Sequence, residues 1–347
     1  MKVAKPVDGG KSAAPGLETR PLMLRAITPA GDMNVITVDA ASGVLPAGAI
    51  WIDLCNPTRE EEVFIEAVAG IGVPTKEEMD EIETSSRLYE ENGAIYMTAT
   101  LATGILRENP ETHAVSFILT PAHLVTVRYA EIQSFDRFAA HTERTPTLCE
   151  NSGMALVHLL DAVVDRLADG IEHVGREVDA VSRQAFRRAR ITGQQRVSNL
   201  ALQLLLARLG SAQDALSKAR QAAVSLNRAV GYLAFAAPKS SGIQPHVKSL
   251  SRDIASLSDH AGYLSSNITF LLDATLGLIS IEQNAVLKII SVGAIVFMPP
   301  TLVAGIYGMN FKVMPELDWV FGYPMALGLM LAAAILPYLV FRWRGWL

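Results

Sequence analysis

Cysteine is scarce in this sequence. Only Cys55 and Cys149 occur in 347 residues, which excludes a disulfide framework and a CxxC metal knuckle and favours a reducing, cytosol-facing compartment. The net charge of −5 lacks the basic footprint that bulk nucleic-acid binding needs. Half of the residues are apolar, so the chain is not largely disordered. We therefore expect a folded protein with no nucleic-acid partner.

Enzyme signatures are also missing. Gly10-Lys11-Ser12 imitates the end of a P-loop, but the first glycine of that motif would fall at Lys5. Neither GxSxG nor HExxH occurs, and the seven histidines lack paired zinc-ligand spacing. We therefore expect neither an enzyme nor an organic cofactor.

Charge is sparse in the C-terminal part of the chain. Only six charged side chains occur in 288–347, although 19% of the whole chain is charged. Two runs within this part, 289–311 and 319–341, carry no charge at all. Each run is long enough to cross a hydrocarbon core of about 30 Å at about 1.5 Å per residue. A buried helix in a soluble core is the alternative, but such helices seldom exceed about 14 apolar residues.

The flanks of the two runs predict an orientation in the membrane. Arg342 and Arg344 follow the second run, whereas the loop between the runs carries Lys312, Glu316 and Asp318. Positive-inside bias then puts both termini and the large N-terminal part in the cytoplasm. The N-terminal residues lack an apolar h-region, so we expect no secretory signal. The chain is predicted to be a multi-pass protein of the inner (plasma) membrane.

Periodicity and breaker residues divide the rest of the chain. Short β-type runs with a helix at 58–72 between them predict an α/β unit; the runs are 22–27, 34–38, 50–54, 94–101, 115–120 and 124–129. Helical periodicity covers 153–190 and 194–235, and a single very long helix is predicted from His246 to about Tyr307. The predicted cytosolic parts are, in chain order, a disordered tail 1–20, an α/β domain 21–150 and a helical hairpin 151–245. A stalk helix and the first transmembrane segment follow at 246–311, with the segment itself at about 289–309. The outer loop is 312–318, and 319–347 holds the second transmembrane segment, at about 320–341, and a basic tail.

A seam of mostly small or polar residues follows the predicted long helix. Alternating steps of four and three give Asp273, Gly277, Ser280, Asn284, Leu287, Ser291, Ala294, Met298, Thr301 and Gly305. This 3.5-residue period suits a helix packed in parallel with copies of itself. Small residues also let membrane helices approach closely. Periodicity alone leaves a tight helix interface and a water-lined pore face open.

Acidic side chains are concentrated between residues 53 and 91. Twelve acidic and three basic side chains give this segment a net charge of −9. Such a run usually forms solvated helix faces, but an acidic surface also offers oxygen ligands to divalent cations. Both interpretations stay open.

A distinctive motif ends the first apolar run. Tyr307-Gly308-Met309-Asn310-Phe311 is followed by Met314-Pro315-Glu316-Leu317. These residues resemble the YGMNF signature and MPEL loop of the CorA family of divalent-cation channels, and the resemblance covers about residues 280–347. It implies an α+β membrane protein that forms a homopentamer in the lipid bilayer. Each subunit would have a cytosolic α/β/α funnel domain and a long stalk helix that continues into the first of two C-terminal transmembrane helices.

The resemblance also implies roles for individual residues. Gly308, Met309 and Asn310 would form the selectivity filter, with Glu316 and Asp318 attracting cations outside it. The implied pore-lining residues are Asp273, Asn284, Leu287, Ile290, Met298 and Thr301, with Leu287 and Ile290 as a hydrophobic constriction. Mg²⁺ would be both the transported and the regulatory ion, bridging acidic groups of neighbouring subunits. The candidate regulatory ligands are Asp80, Glu81, Glu83 and Asp253.

The expected function is a channel that carries Mg²⁺, with Co²⁺ and Ni²⁺ as further ions, into the cytoplasm down the membrane potential. Cytosolic Mg²⁺ would gate it. A zinc transporter of the ZntB type shares the GMN motif and is an alternative, although the MPEL loop favours the Mg²⁺ branch. An alternative of another class is a membrane-anchored cytosolic binding or signalling module.

Overall fold

A computed structural model of the protein describes residues 23–28, 33–36, 45–81, 83–107, 109–191, 199–237, 242–309, 314–315 and 319–344. The strands in these ranges are β1 Met23–Ile27, β2 Met33–Ile36, β3 Trp51–Cys55, β4 Leu88–Glu91, β5 Ala94–Thr103, β6 Glu111–Leu119 and β7 Leu124–Arg128. The helices are α1 Arg59–Ala69, α2 Lys76–Asp80, α3 Thr84–Arg87, α4 Gln133–Thr142, α5 Ser152–Ile191, α6 Asn199–Ala236, α7 Gln244–Tyr307 and α8 Gly322–Trp343. The predicted tail 1–20 lies outside the described residues.

The chain separates into two compact units. One comprises Met1–Glu177 with Ala212–Ser265, and the other comprises Val178–Ser211 with Ser266–Leu347. The first unit holds the described strands, and the second holds both apolar runs. Helices α5, α6 and α7 each contribute residues to both units.

The described strands form one mixed sheet in the order β2-β1-β3-β7-β6-β5-β4. β3 and β7 pair in parallel, with Trp51 opposite Leu124 and Cys55 opposite Arg128, whereas the other neighbouring strands are antiparallel. Parallel pairing needs a long crossover, which the chain supplies as α1, α2, α3 and the strands β4 to β6. The parallel pair lies at the centre of the sheet and is almost fully buried.

Helices cover both faces of this sheet. Alternation along β3 puts Ile52 and Leu54 on the face where Ile65 of α1 and Met79 of α2 complete a buried cluster. On the other face the Trp51 ring lies 5.1 Å from the Phe138 ring of α4, centroid to centroid. The first unit therefore has the α/β/α layers that the family resemblance implied.

Local sequence signals account for most of these elements. The helix predicted at 58–72 is confirmed as α1, where Thr58 and Glu61 form a capping box and Gly70 ends the helix in a left-handed conformation. Strand β4 was not predicted, because two of its four residues are glutamates on an exposed edge. Asn92 and Gly93, both with positive φ, turn it into β5. Helices α2, α3 and α4 were not predicted either.

The three long helices are confirmed close to their predicted bounds. Helix α5 corresponds to the predicted helix 153–190, and α6 corresponds to the predicted helix 194–235. Helix α7 runs for 64 residues without interruption. Pro299 and Pro300 lie inside α7 rather than at its end. A proline in a helix interior usually bends or breaks the helix, so this position is a departure from ordinary helix chemistry.

A buried ion pair joins the two parallel strands. Arg128 Nη2 donates to Asp53 Oδ2 at 2.9 Å, and both side chains are 1% exposed. Thr126 Oγ1 donates to Asp53 Oδ1 at 2.8 Å, and Trp51 Nε1 donates to Thr126 Oγ1 at 3.0 Å. Burial by itself lowers the pKa of Arg128, but the charge of Asp53 and its hydrogen bonds raise that pKa above its ordinary value. Asp53 is therefore a structural group.

Removing one partner of this pair should destabilise the first unit strongly. Arg128→Met leaves the Asp53 carboxylate buried without its cation, and we expect a loss of about 3–5 kcal/mol in the free energy of unfolding. Thermal unfolding of the purified chain, followed by circular dichroism, measures the loss as a lower midpoint. The double variant Asp53→Val/Arg128→Met should recover most of it, because no unpaired charge then remains.

Arg176→Met is the matched control. Arg176 Nη1 lies 3.7 Å from Glu172 Oε2, but the two side chains are 67% and 69% exposed, so neither partner is left buried and we expect an unchanged midpoint. A midpoint of Arg128→Met equal to that of the parent chain would contradict the role assigned to the buried pair.

Candidate functional site

Helices α7 and α8 carry the two apolar runs. Only 6% of the apolar window of each helix is buried within the chain. A core helix of a soluble protein hides its apolar side chains, so this exposure disfavours the soluble-core alternative. A helix satisfies its own backbone hydrogen bonds, which is what a segment in hydrocarbon requires.

The six candidate pore-lining residues all lie on α7: Asp273, Asn284, Leu287, Ile290, Met298 and Thr301. Each is exposed within the single chain. Bulky flanking residues such as Ile295 and Phe297 are exposed as well, at 44% and 73%. Exposure in the single chain therefore does not separate a pore face from a lipid face.

Oxygen acceptors accumulate on α7 around the proline pair. Thr301 Oγ1 donates its proton to the carbonyl of Phe297 at 2.8 Å. Toward other groups this hydroxyl can therefore act as a hydrogen-bond acceptor. Pro299 and Pro300 lack an N–H, so the carbonyls of Ile295 and Val296 lose their usual donors four residues on. Such acceptors suit a cation or its water ligands.

The end of α7 sets up the GMN motif. The helix ends at Tyr307, after which the Gly308 N–H donates to the carbonyl of Ala304 at 2.9 Å and the Met309 N–H to that of Ile306 at 3.2 Å. A Cβ on Gly308 would lie 3.0 Å from the Ala304 carbonyl oxygen, a backbone atom that cannot move as a side chain does. This close approach explains glycine at position 308.

The remaining residues of the predicted filter and outer loop are Asn310, Glu316 and Asp318. They lie outside the described residues, so their predicted roles stay predictions.

The first unit is called the sheet unit, because it holds the described strands, and its candidate regulatory acids lie on the surface. Asp80 ends α2, Glu81 caps it, and Glu83 precedes α3. All three are exposed, and their carboxylates have no hydrogen-bond or ion-pair partner among the described residues. Asp253 is exposed on α7. Within the described ranges, no three or more His, Cys, Asp or Glu side chains are arranged to hold a metal ion, so the single chain does not assemble these four into a site.

Other acids of the −9 segment have structural tasks. Besides Asp53, Glu61 and Glu62 are buried, at 3% and 9% exposure. Glu61 completes the capping box of α1, and Glu62 Oε2 accepts from Arg59 Nη1 at 3.0 Å. The interpretation of this segment as uniformly solvated helix faces is therefore wrong for these residues.

Sequence reasoning missed a group of titratable residues near Asp253. Burial raises the pKa of Asp161 on α5, with His158 opposing the shift and the charges of Asp165 and Asp253 adding to it. The rings of His158 and His246 lie 5.8 Å apart. The i, i+3, i+7 spacing of His158, Asp161 and Asp165 was the available signal, because these positions share one helix face.

The comparisons with known proteins decide the family. The model of the CorA-like Mg2+ transporter protein family matches residues 46–343, which is most of the chain. The chain belongs to the CorA family.

Relatives and solved structures agree with this assignment. The chain is 34% identical to the magnesium transport protein CorA of Pasteurella multocida over 317 residues, covering 91% of this chain and 98% of that one. It is 33% identical to the protein of the same name of Escherichia coli K12, covering 86% and 92% of the two chains. The complete structure of the CorA magnesium transporter from Methanocaldococcus jannaschii matches with a TM-score of 0.75 at 17% identity, covering 95% of this chain and 100% of that chain, and so shows the same fold.

The CorA assignment gives the exposed helices a context. Both α7 and α8 are transmembrane helices of a CorA-type fold, and α7 is the long helix that ends at the GMN motif. The pore-lining roles of individual residues are tested by their access to water.

Cysteine labelling separates a water-lined seam from a packed one. We expect Ala294→Cys, on the seam, to react with a charged thiosulfonate reagent in reconstituted protein. Val296→Cys lies two positions further, on the opposite side of the helix, and should stay unmodified. The native cysteines provide a low background, because burial raises the pKa of Cys149 to about 12 and also raises that of Cys55.

Mass spectrometry of the intact chain measures the modification. If neither cysteine reacts, the seam is a helix-packing interface. Equal reaction at both positions would show that α7 does not present a lipid face at Val296.

Proposed function

We propose that the chain forms a homopentameric channel that carries Mg²⁺ into the cytoplasm down the membrane potential. Co²⁺ and Ni²⁺ are proposed as further ions. Both termini and the sheet unit lie on the cytoplasmic side of the inner (plasma) membrane, as the basic residues after α8 indicate. No organic cofactor takes part.

One observation carries this proposal. A GMN motif stands at the end of an apolar helix, in a chain whose curated relatives are named magnesium transport proteins and are matched over nearly their whole length. A helix end is where backbone carbonyls become free to face an ion. Five copies of Asn310 and the adjoining carbonyls would make a ring of neutral oxygen atoms.

A neutral ring suits the chemistry of Mg²⁺. The ion sheds its waters reluctantly and requires octahedral geometry, so amide oxygens recognise it best through its first-shell waters. Conduction also requires binding weak enough to release the ion, which five carboxylates at the same level would oppose. Glu316 and Asp318 are proposed to raise the local cation concentration outside.

Further along α7, apolar and hydroxyl groups have different tasks. Leu287, Ile290 and Met298 would close the pore by excluding water, and Asn284 and Thr301 would contact the hydrated ion. A ring of Asp273 would be costly near a membrane unless hydrated or bound to cations, which favours a role in conduction. Inward movement of a divalent charge across about 100 mV supplies about 4.6 kcal/mol, at about 2.3 kcal/mol per elementary charge.

Flux into proteoliposomes tests the channel. With a negative internal potential, we expect Mg²⁺ uptake by the parent chain and a decrease of about 10- to 100-fold in Asn310→Ala, because the ring that orients the water shell is lost. Fluorescent indicators for Mg²⁺ and Zn²⁺ measure both ions in matched vesicles.

Asn267→Ala is the control, since it removes an amide from α7 outside the seam and should keep the parent rate. Uptake of Zn²⁺ in preference to Mg²⁺ would assign the chain to the zinc-transporting alternative. Absence of flux for either ion would favour a membrane-anchored binding module and contradict the channel.

Cytosolic Mg²⁺ is proposed to hold the pore shut. The ion would bridge the unpaired acidic groups near α2 of one subunit and Asp253 of the next, which explains why one subunit alone does not gather them. At low cytosolic Mg²⁺, mutual repulsion of these carboxylates would loosen the contact and favour opening.

Neutralising the proposed regulatory acids should abolish this feedback. The variant carries alanine at Asp80, Glu81, Glu83 and Asp253. We expect its current in excised inside-out patches to persist at Mg²⁺ concentrations that close the parent channel, because no bridging ligands remain. A control with the same charge change carries alanine at Glu90, Glu91, Asp179 and Asp259, which are exposed, and should close as the parent does. Unchanged Mg²⁺ inhibition in the first variant would overturn the assignment.

A further inference from the structure

A cavity of about 510 Å³ in the first unit is lined by arginines and hydroxyl groups. It lies between the β4–β5 edge of the sheet and the part of α6 that belongs to the first unit. Its lining comprises Arg87, Leu88, Thr98, Thr100, Ser217, Arg220, Gln221, Val224, Ser225 and Arg228. No residue of this lining is acidic, although the chain as a whole carries a net negative charge.

One face of α6 provides six of the ten residues of this lining. Ser217, Gln221, Val224 and Arg228 recur at steps of three or four residues, which is the spacing of one helix face. Arg220 lies on the same side and is eight residues before Arg228, or about 12 Å along the axis at about 1.5 Å per residue. Neither arginine has a hydrogen-bond or ion-pair partner among the described residues, and both are exposed.

The sheet side of the cavity is built more rigidly. Arg87 Nη1 donates to Thr100 Oγ1 at 3.1 Å, and Arg87 Nε donates to the carbonyl of Glu81. These bonds hold the guanidinium in place and leave its other N–H groups available, since arginine has five. Ser225 Oγ accepts the Thr100 N–H at 2.8 Å, so its own proton is free to be donated.

These groups match the chemistry of phosphate. Arginine binds phosphate with two parallel N–H donors, and hydroxyl donors add directional bonds. The separation of Arg220 from Arg228 exceeds the width of one phosphate group and suits a chain of phosphates. Leu88 and Val224, the latter 40% exposed, offer an apolar wall to the organic part of a ligand.

We propose that this cavity binds a phosphate-bearing anion of nucleotide size through Arg87, Arg220 and Arg228. None of the lining residues is a proposed pore-lining or regulatory residue, and the contact with the regulatory segment is the hydrogen bond from Arg87 to the backbone carbonyl of Glu81.

Binding of a fluorescent ATP analogue to the detergent-solubilised full chain tests the site. We expect unlabelled ATP to displace the probe and adenosine to fail. Displacement by tripolyphosphate as effective as that by ATP would support recognition of the phosphate chain alone, and weaker displacement would support an added contribution of the Leu88 and Val224 wall. Displacement by adenosine as effective as that by ATP would overturn the proposal, as would absence of binding by the parent chain.

Paired arginine variants supply the matched control. Arg220→Gln/Arg228→Gln should weaken binding about tenfold or more, because two charge-assisted contacts are lost. Arg183→Gln/Arg208→Gln removes the same charge from α5 and α6 outside the cavity and should leave the affinity unchanged. If both pairs of substitutions weaken ATP binding equally, the binding is a non-specific attraction between charges, and the proposed site is wrong.

Size-exclusion chromatography on the same samples tests whether another subunit, rather than a phosphate-bearing anion, occupies the cavity. If the parent chain binds no ATP and Arg220→Gln/Arg228→Gln loses its oligomeric state, the arginines contact the acidic surface of another subunit, and the proposal is wrong. Because these assays measure no ion flux, a failure of the proposed channel function would leave their outcome unchanged.

Discussion

Backbone N–H and C=O groups that water cannot reach must be hydrogen-bonded within the chain, and the architecture depends on this requirement. Helices α7 and α8 satisfy it through their own hydrogen bonds, so their side chains are free to meet lipid, a neighbouring subunit or a pore. The exceptions on α7 are informative. Pro299 and Pro300 release two carbonyl groups inside the helix, and the helix ends just before the GMN motif. Both are places where backbone oxygen atoms become available to a hydrated cation.

The cost of removing charge from water also governs where the acidic residues lie. The sheet unit buries one ion pair, Asp53 with Arg128, where two strands, a threonine and a tryptophan complete its hydrogen bonds. The carboxylates of Asp80, Glu81 and Glu83 lie instead on exposed surface near α2, and that of Asp253 on exposed surface of α7. An unpaired surface carboxylate retains its hydration and can exchange water for a divalent ion at modest cost. The protein thereby separates acids that stabilise the fold from acids that are available to ions.

Helices α1, α5, α6, α7 and α8 were predictable to within a few residues, because periodicity, hydropathy and caps are local properties of the chain. Most strands were predictable from apolar β-branched runs. Strand β4 and helices α2, α3 and α4 were missed. β4 is half glutamate, α2 and α3 are five and four residues long and show no periodicity, and α4 has no side-chain cap at Ile132. The filter and pore candidates came from a motif rather than from periodicity, which left packing and pore equally open. Among the acids, sequence could not tell buried Glu61 from exposed Glu81, because burial is decided by distant elements.

The sequence alone determined the family, the two membrane-length runs and the long helix, because these depend on a local motif, on hydropathy and on periodicity. Which charged residues are available for binding was settled by folding alone. Tertiary packing placed Arg128 beside Asp53 from a distant part of the chain, brought His246 and Asp253 near Asp161, and gathered Arg87 with Arg220 and Arg228 around one cavity. Solvation and electrostatic pairing depend on neighbours in space, and the order of residues along the chain does not contain those neighbours.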